Sequence, residues 1–234
     1  ELAVFGALPR LSSLTIVYTG LPSLKFLRGL DGLQYLGLNR LFGITDFSPL
    51  EELTNLRELK IPYAETSIND FSFLGLPNLE SAELTFVENF TLEKLPSSSS
   101  LLELRLSGNN IASMSGFERI PNLVTLLLDD NLISNVSTLG QLDNLENLSL
   151  QNNVIESLSS LADRPDFVSN LDLQNNAVSS VETYLDDWSD QSLIKLTGNP
   201  LTCAQLDYAA GLDVNIEFDS QCEGDVADPD SDSD

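Results

Sequence analysis

Leucines recur in a fixed frame through the second half of the chain. Leu101-x-x-Leu104-x-Leu106-x-x-Asn109 is followed by Leu123, Leu126, Leu128 and Asn131, then by Leu145, Leu148, Leu150 and Asn153. Val168, Leu171, Leu173 and Asn176 make a fourth copy, and Gln191, Ile194, Leu196 and Asn199 a fifth. Successive asparagines are 22, 22, 23 and 23 residues apart. The frame also runs backward through Leu11, Leu14, Ile16; Leu33, Leu36, Leu38; Leu56, Leu59, Ile61; and Leu79, Ala82, Leu84. In those four copies Thr19, Leu41, Ala64 and Val87 stand where asparagine would be, so the nine copies divide into a degenerate and a regular block. Pro96-Ser97-Ser98-Ser99-Ser100, at the seam, reads as a loose loop.

Within a copy, the x-Leu-x-Leu-x segment alternates with period two and predicts a short strand buried on one side. Beyond the asparagine, apolar residues recur every three positions: Ile111, Met114, Phe117, Ile120, and again Ile133, Val136, Leu139, Leu142. Period three suits 3-10 turns or extended coil better than an α-helix. A single copy cannot bury its own apolar side, whereas stacked copies share a continuous core.

This pattern resembles the leucine-rich repeat family, L-x-x-L-x-L-x-x-N-x-[LI], in the 22-residue class typical of bacterial internalins. The resemblance covers about residues 8 to 200. It implies an α/β solenoid, a curved right-handed superhelix with a parallel β-sheet on the concave face and 3-10 turns or coil on the convex face. It further implies a structural ladder in which Asn109, Asn131, Asn153, Asn176 and Asn199 hydrogen-bond the backbone of the neighbouring turn. Leu41, Ala64 and Val87 cannot do this, which predicts less regular turns in the early copies.

The expected organisation is a flank or truncated cap over 1–10, nine repeats over 11–200, a C-terminal cap over 201–224 and an acidic disordered tail over 225–234. In the cap segment, Ala204–Gly211 reads as a short helix stopped by glycine, and Val214–Phe218 alternates like a strand. This is similar to the C-terminal cap of extracellular leucine-rich repeat proteins, although the larger version has four cysteines. The similarity implies a Cys203–Cys222 disulfide and an oxidising compartment; two buried free thiols are the other reading. The tail's Asp-Ser alternation resembles the start of calcium-binding Asp repeats but lacks a glycine turn and a closing Glu, so a solvated linker towards downstream domains is expected. Glu1 reads as the edge of a mature chain or of an excised piece.

Charge narrows the function. Eleven Lys and Arg against 36 Asp and Glu give a net −25, a field that repels nucleic acid. Histidine is absent, which removes Ser-His-Asp and Cys-His catalysis and His-ligated metal sites. No apolar run is long enough to span a membrane, so membrane insertion is not expected. Neither an enzyme, a cofactor nor a metal site is anticipated, and the chain is expected to be a monomer.

In the family, ligands meet the concave face at the third, fifth, seventh and eighth positions of each copy. Early copies place Tyr18, Tyr35, Arg40, Lys60, Tyr63, Phe86 and Arg105 there. Later copies offer Asp129, Asp130, Asn147, Gln151, Asn152, Asn170, Asp172, Gln174 and Asn175. Exposed aromatics and arginines suit an interface; the same rings could instead pack on one another across strands. The expected function is non-enzymatic binding of a protein or glycan ligand by a secreted or cell-surface bacterial protein. The alternative is an intracellular acidic leucine-rich repeat scaffold for basic protein partners.

Overall fold

A computed structural model describes residues 8, 10–17, 20–65, 68–87, 90–161, 168–181, 185, 188 and 192–219. Among these residues ten short strands form one parallel sheet in sequence order. They are β1 (Ser13–Val17), β2 (Tyr35–Asn39), β3 (Glu58–Lys60), β4 (Ser81–Glu83), β5 (Glu103–Arg105), β6 (Thr125–Leu127), β7 (Asn147–Ser149), β8 (Asn170–Asp172), β9 (Leu193–Lys195) and β10 (Asn215–Glu217). Register follows the frame: Leu36 lies opposite Leu59, Leu59 opposite Ala82, and Leu104 opposite Leu126. The α/β solenoid that the resemblance to leucine-rich repeats implies is therefore the fold.

The opposite wall consists of short 3-10 turns, among them Lys25–Leu27, Ser48–Glu52, Ser72–Gly75, Phe117–Arg119 and Ser137–Gln141. The three-residue apolar period dictates them, because side chains at i and i+3 of such a turn eclipse and all enter the core. Leucines of the strands and turns merge into one buried cluster running the length of the array. In the early copies phenylalanines widen it: Phe71 packs on Phe73 and Phe90 at ring distances of 6.1 and 4.8 Å.

Pro96–Ser100 is not a loose loop. The Ser98 amide donates to Arg119 O (3.0 Å), Ser100 Oγ donates to Leu76 O (2.9 Å), and Asn122 Nδ2 donates to Ser99 O (2.8 Å). Four serines in sequence signal flexibility, but their hydroxyls can bond neighbouring turns once the solenoid brings those turns alongside.

The cap closes the last repeat with helix α1 (Cys203–Ala210) and β10, which pairs in parallel with β9. Thr202 Oγ1 caps α1 by accepting from the Gln205 amide at 3.3 Å. Leu206, Tyr208, Leu212, Val214, Ile216 and Phe218 pack against the end of the core. Cys203 opens α1, whereas Cys222 and the acidic tail lie outside the described residues.

Candidate functional site

From the second copy onward the chain turns off the sheet at the eighth position, and there the backbone is left-handed. Arg40, Tyr63, Phe86, Asp130, Asn152 and Asn175 have φ between +54° and +57°, and Gly108 and Gly198 have +73° and +76°. The corner amide donates to the seventh-position carbonyl of the next copy: Arg40 to Pro62 O, Tyr63 to Thr85 O, Phe86 to Ser107 O and Asp130 to Gln151 O, at 2.8–3.0 Å. The early corners are thus as regular as the late ones, contrary to the expectation from Leu41, Ala64 and Val87. A main-chain bond at each of these corners holds this geometry whatever the side chain.

The difference begins one residue later. Asn131 Oδ1 accepts from the Asn109 and Ile111 amides (3.0 and 2.9 Å), and its Nδ2 donates to Leu106 O and Leu128 O (3.1 and 2.8 Å). Asn109, Asn153, Asn176 and Asn199 repeat the arrangement, with Oδ1 accepting from the Val87, Ile133, Ile155 and Val178 amides respectively. In the early block Leu41 and Ala64 are fully buried instead, and a main-chain bond from the Glu65 amide to Leu41 O (2.9 Å) joins the turns.

A second ladder escaped the sequence reading. Asn55, Asn78, Asn122 and Asn144, each just before the first leucine of a copy, donate through Nδ2 to Asp31 O, Thr54 O, Ser99 O and Pro121 O at 2.8–3.1 Å. Its signal was present as the recurring Asn-Leu dipeptide, and it spans both blocks.

The candidate ligand residues fall into two groups. Tyr35, Lys60 and Arg105 lie on strands and face outward from the sheet. Lys60 Nζ pairs with Glu58 (3.0 Å) and sits 6.0 Å from the Tyr35 ring, while Arg105 pairs with Glu103. The Glu58 hydrogen bond, outweighing burial, holds the Lys60 ammonium pKa above its ordinary value. Each of these two cations thus carries its own carboxylate on the same strand.

Arg40, Tyr63 and Phe86 lie on the corners and form a column along the rim of the sheet. Tyr63 and Phe86 stack with centroids 4.9 Å apart and planes at 2°. Arg40 Cζ lies 5.7 Å from the Tyr63 ring, and Phe86 covers Gly108, where a Cβ would overlap the ring. Even so, Tyr63 and Phe86 remain 49% and 44% exposed. Ring packing and surface display therefore coexist here. Tyr18 lies outside the described residues.

In the late copies the column becomes polar: Asn152 Nδ2 donates to Asp130 Oδ1 (2.8 Å) and Asn175 Nδ2 to Asn152 Oδ1 (2.9 Å). Asp129 accepts from Ser149 Oγ and from the Gln151 amide at 3.0 Å. Burial nevertheless raises its carboxyl pKa, with Asp172 and Asp130 adding repulsion. Between β6 and β9 the sheet face has a hollow of about 210 Å³ lined by Leu127, Asn147, Ser149, Asn170, Asp172, Leu193 and Lys195.

Among the described residues no group of three metal-ligating side chains converges, and no helix is long and apolar enough to cross a membrane. A parallel sheet of one strand per copy, asparagine-laddered turns and a 3-10 outer wall define a leucine-rich repeat solenoid.

Solved structures of that fold superpose on most of the chain. Internalin C2 of Listeria monocytogenes is 23% identical, with TM-score 0.55, covering 92% of this chain and 84% of its own. A leucine-rich repeat protein of Leptospira interrogans is 22% identical (TM-score 0.65), covering 92% of this chain and 62% of its own. The TLR13–ssRNA13 complex gives TM-score 0.72 at 26% identity, over 86% of this chain and 30% of that one. No family model and no curated protein matches the sequence.

Proposed function

We propose that the chain is a non-enzymatic binding domain of the internalin-like class, from a secreted or cell-surface bacterial protein, that takes a protein or glycan ligand on its early concave face. The observation that carries this is the Arg40–Tyr63–Phe86 column. Two half-exposed rings are held at strained backbone positions where later copies use Asn, Asp or Gly, and strain of about 1–3 kcal/mol per residue clusters at functional sites. Tyr18, Tyr35, Lys60 and Arg105 extend the same surface across the strands. Rigid aromatic area beside guanidinium groups suits sugar rings and protein loops alike.

The extracellular setting rests on a Cys203–Cys222 bridge closing the cap, since such a bond persists in oxidising compartments. The bacterial source rests on the likeness to the Listeria and Leptospira proteins.

A glycan array and a panel of cell-surface ectodomains, screened with the whole chain, test the proposal. For a ligand so found, Arg105→Ala and Tyr63→Ala should each weaken binding by about 1–3 kcal/mol. If both leave affinity unchanged while Asp172→Ala abolishes it, the ligand sits on the later repeats and the proposal fails.

Charge supports a second reading, an intracellular scaffold for basic partners. Residues 1–105 hold eight cations against 13 acids, a net −5, whereas residues 106–234 hold three against 23, a net −20. Two titratable thiols in the native, unreduced protein would favour that reading.

A further inference from the structure

We infer that the hollow on the sheet face between β6 and β9 is a second binding site, built to receive one arginine side chain from a protein partner. Its shape follows from the side chains on neighbouring strands. Leu127 on β6 and Leu193 on β9 both point outward, at positions where a solvated sheet face would carry polar groups. Between them Asn147, Asn170 and Asp172 are short, so the face sinks between two apolar walls. The space of about 210 Å³ is below the roughly 300 Å³ at which drug-sized pockets begin. It fits one side chain and no folded element.

The chemistry of the walls selects the occupant. Leucines at either end suit an aliphatic stem. The polar middle offers the carboxylate of Asp172 and the paired amides of Asn147 and Asn170, whose Nδ2-to-Oδ1 bond is 2.7 Å. Asp172 is held in place rather than free to swing. Its Oδ1 accepts from the Gln174 amide (3.1 Å) and its Oδ2 from Gln151 Nε2 (2.8 Å). Lys195, the cation in the lining, reaches Asp172 Oδ2 at 3.7 Å, a loose pair that a planar guanidinium with several fixed donors can displace. The surrounding field attracts cations, since residues 106–234 carry a net −20. An anionic side chain would be repelled by Asp172, and a purely apolar one would take its carboxylate further from water without supplying a new donor.

The site does not depend on the early-face proposal, since the column and the hollow share no residue. The test is titration of the whole chain with Nα-acetyl-arginine methylamide, followed by backbone amide NMR, beside the citrulline analogue, which keeps the shape and lacks the charge. Shifts confined to β6–β9 and at least about tenfold weaker binding of the citrulline analogue are expected. Asp172→Asn should abolish the arginine shifts, and Lys195→Ala should tighten binding about threefold by removing the internal competitor. Equal binding of the citrulline analogue, shifts spread over all acidic surfaces, or weaker binding by Lys195→Ala would each overturn the inference. Because Lys195→Ala removes only a surface ion pair, it decides the matter even if Asp172→Asn disturbs the sheet.

Discussion

Tyr63 and Phe86 lie face to face, 4.9 Å apart and within 2° of parallel, although both occupy left-handed backbone at φ +56° and +54°. The left-handed region costs an L-residue roughly 1–2 kcal/mol, and stacking returns about 0.5–1.5 kcal/mol. Two such residues together cost about 2–4 kcal/mol, more than one stack returns, so the column is held chiefly by the corner hydrogen bonds and by the packing of Phe86 over Gly108.

That balance predicts an ordering of variants. Phe86→Asn, which tolerates the left-handed corner, should stay within about 1 kcal/mol of the parent in urea unfolding, whereas Phe86→Ala should lose about 1–2 kcal/mol. Gly108→Ala should destabilise the parent more than it destabilises Phe86→Ala, because the overlap with the ring is gone in the second background. Additive effects would mean the ring does not press on Gly108.

The two asparagine ladders should differ by burial. Asn131 is 4% exposed, and its removal strands the Asn109 and Ile111 amides. Asn131→Ala should cost about 3 kcal/mol or more. Asn55, whose bond to Asp31 O is solvent-exposed, should cost about 0.5–1.5 kcal/mol as Asn55→Ala. Equal losses in equilibrium unfolding would show that burial does not separate them.

Amide hydrogen exchange should be slower in β5–β9 than in β1–β4. Side-chain carboxamides lock the later turns to one another, while the early turns rely on the Asn55 and Asn78 bonds and on the Glu65–Leu41 link. Reversed protection would show that the phenylalanine packing around Phe71 outweighs the missing ladder.

Asp129 gives a pH dependence with a definite sign. Burial raises its folded-state pKa above the ordinary 3.8, so between those two values the folded protein binds more protons than the unfolded one. Stability therefore falls as pH rises through that window. Asp129→Asn, which can still accept from the Gln151 amide, should be more stable than the parent at pH 7, with the gain shrinking below the ordinary value. A gain that grows on acidification would reverse the assignment. Asp46 and Asp70 have the opposite sign. Hydrogen bonds from Ser48 and Ser72 lower their pKa values, so their stabilisation is present at neutral pH and is lost as pH falls through those lowered values.

For the cap, alkylation of the denatured, unreduced protein should find no free thiol. Closing the 19-residue separation between Cys203 and Cys222 is worth about 3 kcal/mol in the chain-entropy model, so reduction should lower the unfolding midpoint measurably. Two modified cysteines would remove the bridge.

Leucine spacing determined that the copies stack, the number of strands in the repeats and the 3-10 outer wall, because each of these follows from which positions must be buried in every copy, whereas the parallel sheet was implied by the likeness to leucine-rich repeats. The ladder at Asn109, Asn131, Asn153, Asn176 and Asn199 was expected from the resemblance to leucine-rich repeats, and the helix–strand pattern of the cap from its glycine stop and alternation. What the linear pattern could not decide is which contacts the side chains of residues about 22 apart make once the sheet sets them side by side. That left-handed corners would hold Arg40, Tyr63 and Phe86 as firmly as Asn152 depends on main-chain bonds between copies, and that the Tyr63 and Phe86 rings would stack and Lys60 and Arg105 would pair with Glu58 and Glu103 depends on distances between side chains. So does the hollow between Leu127 and Leu193, which exists only because the residues beside them on β7 and β8 are short. Burial acts residue by residue and leaves its mark on the sequence, whereas a surface site arises from neighbours that only the stacked structure brings together.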